Sequence, residues 1–593
     1  MNDAGSEAKR EPDRRGPSRV SLGVYAGAVN STLADAERLD VIGRIWNKDS
    51  ALWKSEETHQ KIIRNSLGWL TAPGEMLAVA DDLKSFAESL SASGFQYVMV
   101  CGMGGSSLCP EVLRQTFGRQ TGFPELLVLD STDPDTINAF NDQIDLEKTL
   151  FVIASKSGTT TEPIAFHRYW YNEVARVSDL PGSAFVTITD PGSQMADTAA
   201  AEGFKRIFLN QPDIGGRYSA LSYFGMAPAA LMGVDTARLL RQAQSVAEAC
   251  GAGVEASKNP AALLGAVMAE CAIAGRDKLT IVTDRKLAAL GLWIEQLIAE
   301  STGKQGKGIV PVVGEPLDEV SSYGSDRLFV SISVGAVDEE TSSRLKAVEA
   351  AGHPVVYRSL ADVYDLGAEF FVWEMATAFA GWRLGIDPFD QPNVQESKDA
   401  TKALLEKYTR AGQLEEQSVL AGDNQLTVYG EQEAGTSAEL SVGDAIRAHC
   451  ARIKPGDYVA LLAYIQETPE TEQAIREIRA SLSKATHCAT TNGYGPRFLH
   501  STGQLHKGGP DSGVFIQITA PDQVDFPVPE SPYTFSTLKD AQALGDFQSL
   551  IKHGRRAIRV DLGADILIGL ARLREVVNSF AKENGRAGAS PPS

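Results

Sequence analysis

Beyond residue 95 the chain alternates short apolar runs with longer stretches of helical spacing. The runs 97–100, 126–129, 151–154, 185–188 and 207–209 are brief, apolar and bounded by polar or glycine-containing turns, the pattern of buried strands. Strands alternating with helices predict a parallel sheet covered on both faces. A second round follows at 279–282, 328–332 and 354–357, and a third at 426–429, 458–462 and 514–518. Ahead of the first round, residues 33–90 carry helical periodicity, with Leu39, Ile42, Ile45 and Trp46 on one stripe. Residues 219–232 are small and apolar enough for a buried helix linking the first two rounds, and 564–580 predict a last helix. No repeat is visible at the level of sequence, so duplication is inferred from element order alone.

The expected class is therefore α/β, with two doubly wound parallel-sheet domains plus a C-terminal α/β region. The expected division is a disordered leader at 1–20, a helical preface with the first domain at 21–235 and the second domain at 236–400. The C-terminal region then spans 401–585, and a disordered tail 586–593. At 593 residues and 43% hydrophobic, the chain is long enough for several cores.

A net charge of −20 argues against a nucleic-acid or anionic-membrane partner. The basic cluster Lys9, Arg10, Arg14, Arg15 and Arg19 sits among Pro, Ser and Gly and lacks the apolar core of a secretion signal, so it reads as part of the leader. The six cysteines are scattered without metal-ligand spacing. A reducing cytoplasmic location is expected, with no metal and no cofactor. Cys101 and Cys109 flank the first loop described next, where small apolar packing is a commoner role than a reactive thiol.

Two loops carry the chemistry. Cys101-Gly102-Met103-Gly104-Gly105-Ser106-Ser107 and Ser155-Lys156-Ser157-Gly158-Thr159-Thr160 each follow a strand-like run and open a helix-like one. Helix N-termini present unpaired N–H groups and the positive end of the helix dipole, glycines permit close approach, and hydroxyls donate to phosphate oxygens. One such loop is as readily an ordinary capped turn; two in one half-domain point to a sugar-phosphate site. Elsewhere, Arg217 lies on the glycine turn Gly215-Gly216-Arg217-Tyr218-Ser219. Glu300 ends an apolar helix before Ser301-Thr302-Gly303-Lys304, and Lys398 enters a helix after Asp387-Pro388-Phe389-Asp390-Gln391. Singly these read as an interface ion pair, a solvated glutamate and a solvated helix charge.

Taken in order, the Gly-Gly-Ser loop, Ser-Lys-x-x-Thr-Thr-x-Glu, Gly-Gly-Arg-Tyr-Ser, Glu-Ser-x-Gly-Lys and Phe-Asp-Gln-x-x-Val-x-x-x-Lys resemble the glucose-6-phosphate isomerases, over residues 95–400. The whole chain looks most like the isomerase half of bifunctional transaldolase/isomerase proteins, with no transaldolase half visible. The resemblance implies an aldose-ketose isomerase of glycolysis and gluconeogenesis that moves a proton through an enediol. Its substrate would be a sugar phosphate, and it allows a homodimer and a functional link to transaldolase. It implies phosphate contacts from Ser155, Ser157, Thr160 and the Lys156 backbone, and a substrate contact from Ser106. Glu300 would be the base, Arg217 would hold the enediolate, and Gln391 and Lys398 would meet the reacting end of the sugar. Ser157 replaces the usual Thr with retention of the hydroxyl; Pro392 and Ser397 depart from the commoner Trp and Gly.

The family's histidine falls between the positions of Glu300 and Lys398, where this chain has only His353, outside the expected motif. The segment Leu499-His500-Ser501-Thr502-Gly503-Gln504-Leu505-His506 resembles that motif displaced in chain order, so His500 is the preferred ring-opening group, with His506 and His353 as alternatives. Two rival functions are an isomerase of another sugar phosphate, such as mannose 6-phosphate, and a noncatalytic sugar-phosphate sensor. Retention of Glu300 and Arg217 speaks against the sensor.

Overall fold

A computed structural model describes residues 19–415, 417–431 and 440–587. Of the expected leader, residues 1–18 lie outside these, as do 588–593 of the expected tail. The leader ends earlier than expected, because β1 (Arg19–Ser21) pairs antiparallel at an edge of the second sheet. Arg19 anchors it, stacking 4.5 Å over the Tyr357 ring and pairing with Glu349. A preface of short helices follows, among them Ala26–Arg38, Val41–Trp46 and Ala80–Ala92. Of the expected stripe, Ile42 and Ile45 are buried, whereas Leu39 caps the first of these helices and is exposed.

The first sheet holds β2 (Tyr97–Gly102), β3 (Glu125–Leu129), β4 (Thr149–Ala154), β5 (Phe185–Thr189) and β6 (Arg206–Leu209), all parallel, in the order β3-β2-β4-β5-β6. The second holds β7 (Lys278–Thr283), β8 (Val310–Val312), β9 (Arg327–Val334) and β10 (Val355–Leu360), in the order β8-β7-β9-β10-β1. The third adds β11 (Val419–Gly422) and β12 (Thr427–Tyr429), antiparallel at one edge. Its parallel part is β13 (Tyr458–Tyr464), β14 (Ala489–Tyr494), β15 (Gly513–Thr519) and β16 (Arg556–Asp561), in the order β14-β13-β15-β16.

The same four-strand order recurs in all three sheets: second, first, third, fourth. In each, the chain leaves the first strand in one direction and the third in the other, so a crevice opens beyond their carboxyl ends. The C-terminal region is therefore a third round of the same plan. Short β8 escapes sequence reading because Pro311 interrupts it, tolerable at a sheet edge. Polar β14 and β16 lack an uninterrupted apolar run.

The three lobes share cores. The expected boundary at 400 falls inside the helix Pro392–Ala411. Its Leu404 and Leu405 join Phe535, Leu538 and Leu544 in a core with Met99 and Phe151 of the first sheet and Phe166 of the helix Thr161–Val174. On the other side, Ala299 and Val310 of the second lobe pack with Tyr458 and Phe515 of the third. The helix Tyr223–Leu231 is buried from Phe224 to Leu231, as its composition required. No helix among the described residues is long and apolar enough to cross a membrane.

Glu295 lies where the lobes meet, lining a cavity of about 230 Å³. Burial pushes its carboxyl up to about 7, against the charges of Arg497 and Arg479. The folded state thus holds this proton where the unfolded chain has released it, and stability is lost as pH rises from about 4.5 to 7. Chemical denaturation across that window should show the stability of Glu295→Gln gaining on the parent by about 3 kcal/mol. A constant difference would place Glu295 in a solvated setting.

Candidate active site

The first lobe supplies both loops, because β2 and β4 are the neighbours at which the chain changes direction; Gly102 pairs with Ala154. After β2 the backbone turns through Gly104, at φ +57°. A Cβ there would stand 2.9 Å from the His500 carbonyl oxygen and from Gln296 Nε2. At Gly105, which opens the helix Gly105–Phe117, a Cβ would stand 1.8 Å from the carbonyl oxygen of Gly216. The glycines are therefore needed for close approach, and the loop is pressed between the Arg217 turn and the third lobe. Ser106 is 9% exposed and its hydroxyl has no hydrogen-bond partner among the described residues. Cys101 and Cys109 are buried, and burial raises both thiols, which suits packing rather than reactivity.

After β4, Gly158 takes φ +68°. The helix Thr161–Val174 starts on Thr160, whose side chain makes no cap bond, so the first-turn N–H groups stay available. Ser155 Oγ is buried without a partner, while Ser157 Oγ and Thr159 Oγ1 lie 3.0 Å apart in the open part of the loop. The Lys156 ammonium turns away to Asp190 and the Pro212 carbonyl, leaving the backbone on the loop side. Thr159 thus lies beside Ser157, one of the hydroxyls expected to meet phosphate; the Ser/Thr spacing contained that signal.

Arg217 is 3% exposed. Its guanidinium donates to Ser301 Oγ (2.7 Å), Gln391 Oε1 (3.0 Å) and the carbonyls of Pro388 (2.7 Å) and Asp390 (3.0 Å). Nη1 also lies 3.2 Å from Glu300 Oε1. Glu300, in the last turn of the helix Leu290–Thr302, accepts a 3.0 Å bond from Gln296 Nε2, and the same amide donates to the His500 carbonyl at 2.8 Å.

His500 closes a short helical turn, Arg497–His500, and its Nε2 lies 3.0 Å from Glu162 Oε1. Gln542 Nε2 donates to the same oxygen at 2.6 Å. Burial disfavours the Glu162 carboxylate, but the charge and hydrogen bond of His500, with the charge of Lys398, outweigh it and hold the group below its ordinary value. Lys398 is exposed and forms no ion pair or hydrogen bond with any described residue. Glu162 was visible in the second loop's motif, but its partnership with His500 joins residues 338 positions apart and has no local signature.

The alternative histidines lie elsewhere. His353 precedes β10, at the end of the second sheet opposite its crevice; Nδ1 meets Arg276 at 2.9 Å, and burial and that charge lower its pKa. His506 is buried among Tyr458, Phe498 and Phe515, and burial lowers it well below the usual range.

Residues 71–310 match the family model for phosphoglucose isomerase. That segment is therefore similar to the phosphoglucose isomerases. The chain's relatives include a probable glucose-6-phosphate isomerase of Methanococcus maripaludis, 25% identical over 385 residues, covering 58% of this chain and 86% of that protein. Another is the glucose-6-phosphate isomerase of Rubrobacter xylanophilus, 28% identical over 368 residues, covering 54% of this chain and 84% of that protein. The fold is also that of a glucose-6-phosphate isomerase from Chlamydia trachomatis. There the TM-score is 0.52 at 18% identity, over 64% of this chain and 86% of that one.

The contact between Gly105 and Gly216 gives a direct test. Gly105→Ala should destabilise the protein by roughly 1–3 kcal/mol, because backbone rather than a flexible side chain must move. It should also lower ligand affinity by displacing the Arg217 turn. Unchanged melting and affinity would mean that the two loops are not in contact.

Proposed function

We propose that this protein interconverts glucose 6-phosphate and fructose 6-phosphate by proton transfer through an enediol. The observation that carries the proposal is the Glu300 carboxylate held 3.2 Å from the buried Arg217 guanidinium, beside a Glu162–His500 pair and near a hydroxyl-lined helix N-terminus. The phosphate is held by Ser155, Ser157, Thr160 and the backbone around Lys156. Ser106 and Gln391 contact the sugar.

Ring opening needs a proton moved at the ring oxygen, and His500, oriented by Glu162, is the group for it. Lys398 lies close enough for its charge to act on Glu162. Glu300 then removes the C2 proton of glucose 6-phosphate and returns it to C1. One carboxylate serves both carbons because they are adjacent and the enediol is planar. Arg217 stands where negative charge develops on the enediolate oxygens, fixed in advance by its other bonds. A sensor would have no use for a carboxylate and a guanidinium buried together in this way, and the named relatives are glucose 6-phosphate enzymes rather than mannose 6-phosphate ones.

Purified protein should interconvert fructose 6-phosphate and glucose 6-phosphate; binding without turnover would leave the sensor. Glu300→Gln should keep affinity while turnover drops by on the order of 10² to 10⁴. Ser157→Ala and Thr160→Ala should chiefly raise KM, since phosphate contacts persist from ground state to transition state. His500→Ala should be impaired with the cyclic sugar and much less so with an acyclic analogue, while His353→Ala stays close to the parent with both. The reverse pattern would move ring opening to His353.

A further inference from the structure

The first and second sheets share a strand order, yet only the crevice of the first has been given a ligand. In the second sheet the corresponding crevice lies beyond the carboxyl ends of β7 and β9, with a volume of about 310 Å³. Three observations mark it as more than a gap. Arg285 and Lys286 are exposed at its rim, and neither forms an ion pair or side-chain hydrogen bond with any described residue. Ser331, only 3% exposed, lines the crevice with a hydroxyl that has no partner among the described residues. The two carboxylates present are committed to backbone: Asp284 accepts from the amides of Lys286 and Leu287 at 3.0 Å and of Val334 at 2.6 Å, and Asp338 from that of Thr341 at 2.9 Å.

We propose that this crevice is a second anion site, taking the phosphate of a small phosphorylated metabolite at a distance from the proposed catalytic centre. Carboxyl ends of parallel strands at a change of direction are where open α/β sheets bind ligands. Unpaired guanidinium and ammonium groups supply charge-assisted bonds to phosphate oxygens. A buried serine without a partner gains most from a ligand that supplies one. The volume accommodates a phosphate with a short carbon chain.

The test is calorimetric titration of the full chain with glycerol 3-phosphate, which carries the phosphate but no aldehyde or ketone to isomerise. Two sites per chain are expected. Arg285→Ser with Lys286→Ser should weaken one of them about 10- to 100-fold, with isomerase turnover in the absence of added anion unchanged. Ser331→Ala, a nearly isosteric change, should weaken the same site. Ser157→Ala with Thr160→Ala should weaken only the other. An isotherm unaffected by loss of Arg285 and Lys286 overturns this proposal. An isotherm unaffected by loss of Ser157 and Thr160, with the Arg285 and Lys286 effect intact, would overturn the phosphate loop instead.

Discussion

A guanidinium buried without partners would unfold this site, and the way Arg217 is satisfied dictates much of what surrounds it. Its bonds reach the helix Leu290–Thr302 through Ser301 and Glu300, and the segment 388–391 through two carbonyls and an amide. Its own turn is pinned from below by Gly105 against Gly216. Removing one member of such a buried ionic set typically costs about 3–5 kcal/mol, because the remainder is left uncompensated. The first and second lobes are consequently held in register by the groups proposed to handle the reacting carbons. Positive charge and carboxylate are in place before a substrate arrives, so little reorganisation is left for the reaction itself.

Once those two lobes are fixed, the third can close on them only along a narrow path. Gly104 admits the His500 backbone at a distance no side chain would allow. Gln296 then bridges Glu300 to the same carbonyl. One amide therefore couples the proposed base to the turn that carries the proposed ring-opening histidine. Positional error in one is passed to the other over a few ångströms of packed structure, which favours a rigid site built from three separate pieces of chain.

The strands of the first sheet were legible because each is a buried parallel strand, apolar on both faces and bounded by glycine or polar turns. β8, β14 and β16 were not, since edge position or a polar sequence removes that contrast. The residues brought together in the site were mostly named from motifs, including Arg217, Glu300 and the hydroxyls around Ser157. Local sequence could not give the junction: the bond from Gln542 to Glu162 and the bridge through Gln296 depend on tertiary packing alone. For the same reason the third repeat of the sheet order stayed hidden, because strand order is a property of pairing and leaves no periodic trace in residue type. The boundary at 400 failed on a related point, a solvated-looking helix whose Leu404 and Leu405 cover a neighbouring sheet.

The third lobe's role follows from the electrostatics of one residue. Glu162 belongs to the matched segment 71–310, yet it is 4% exposed. Without partners, burial at that position would favour its neutral form. Both side chains that bond to Glu162, His500 and Gln542, come from beyond residue 490, and Lys398, whose charge also acts on it, lies outside the matched segment as well. A protein cut back to the matched segment would keep the loop hydroxyls, Arg217 and Glu300 but lose the histidine and the amide that bond to Glu162. The C-terminal sheet thus completes the arrangement: it supplies the histidine and, through the same contact, the reason the carboxylate opposite can remain charged.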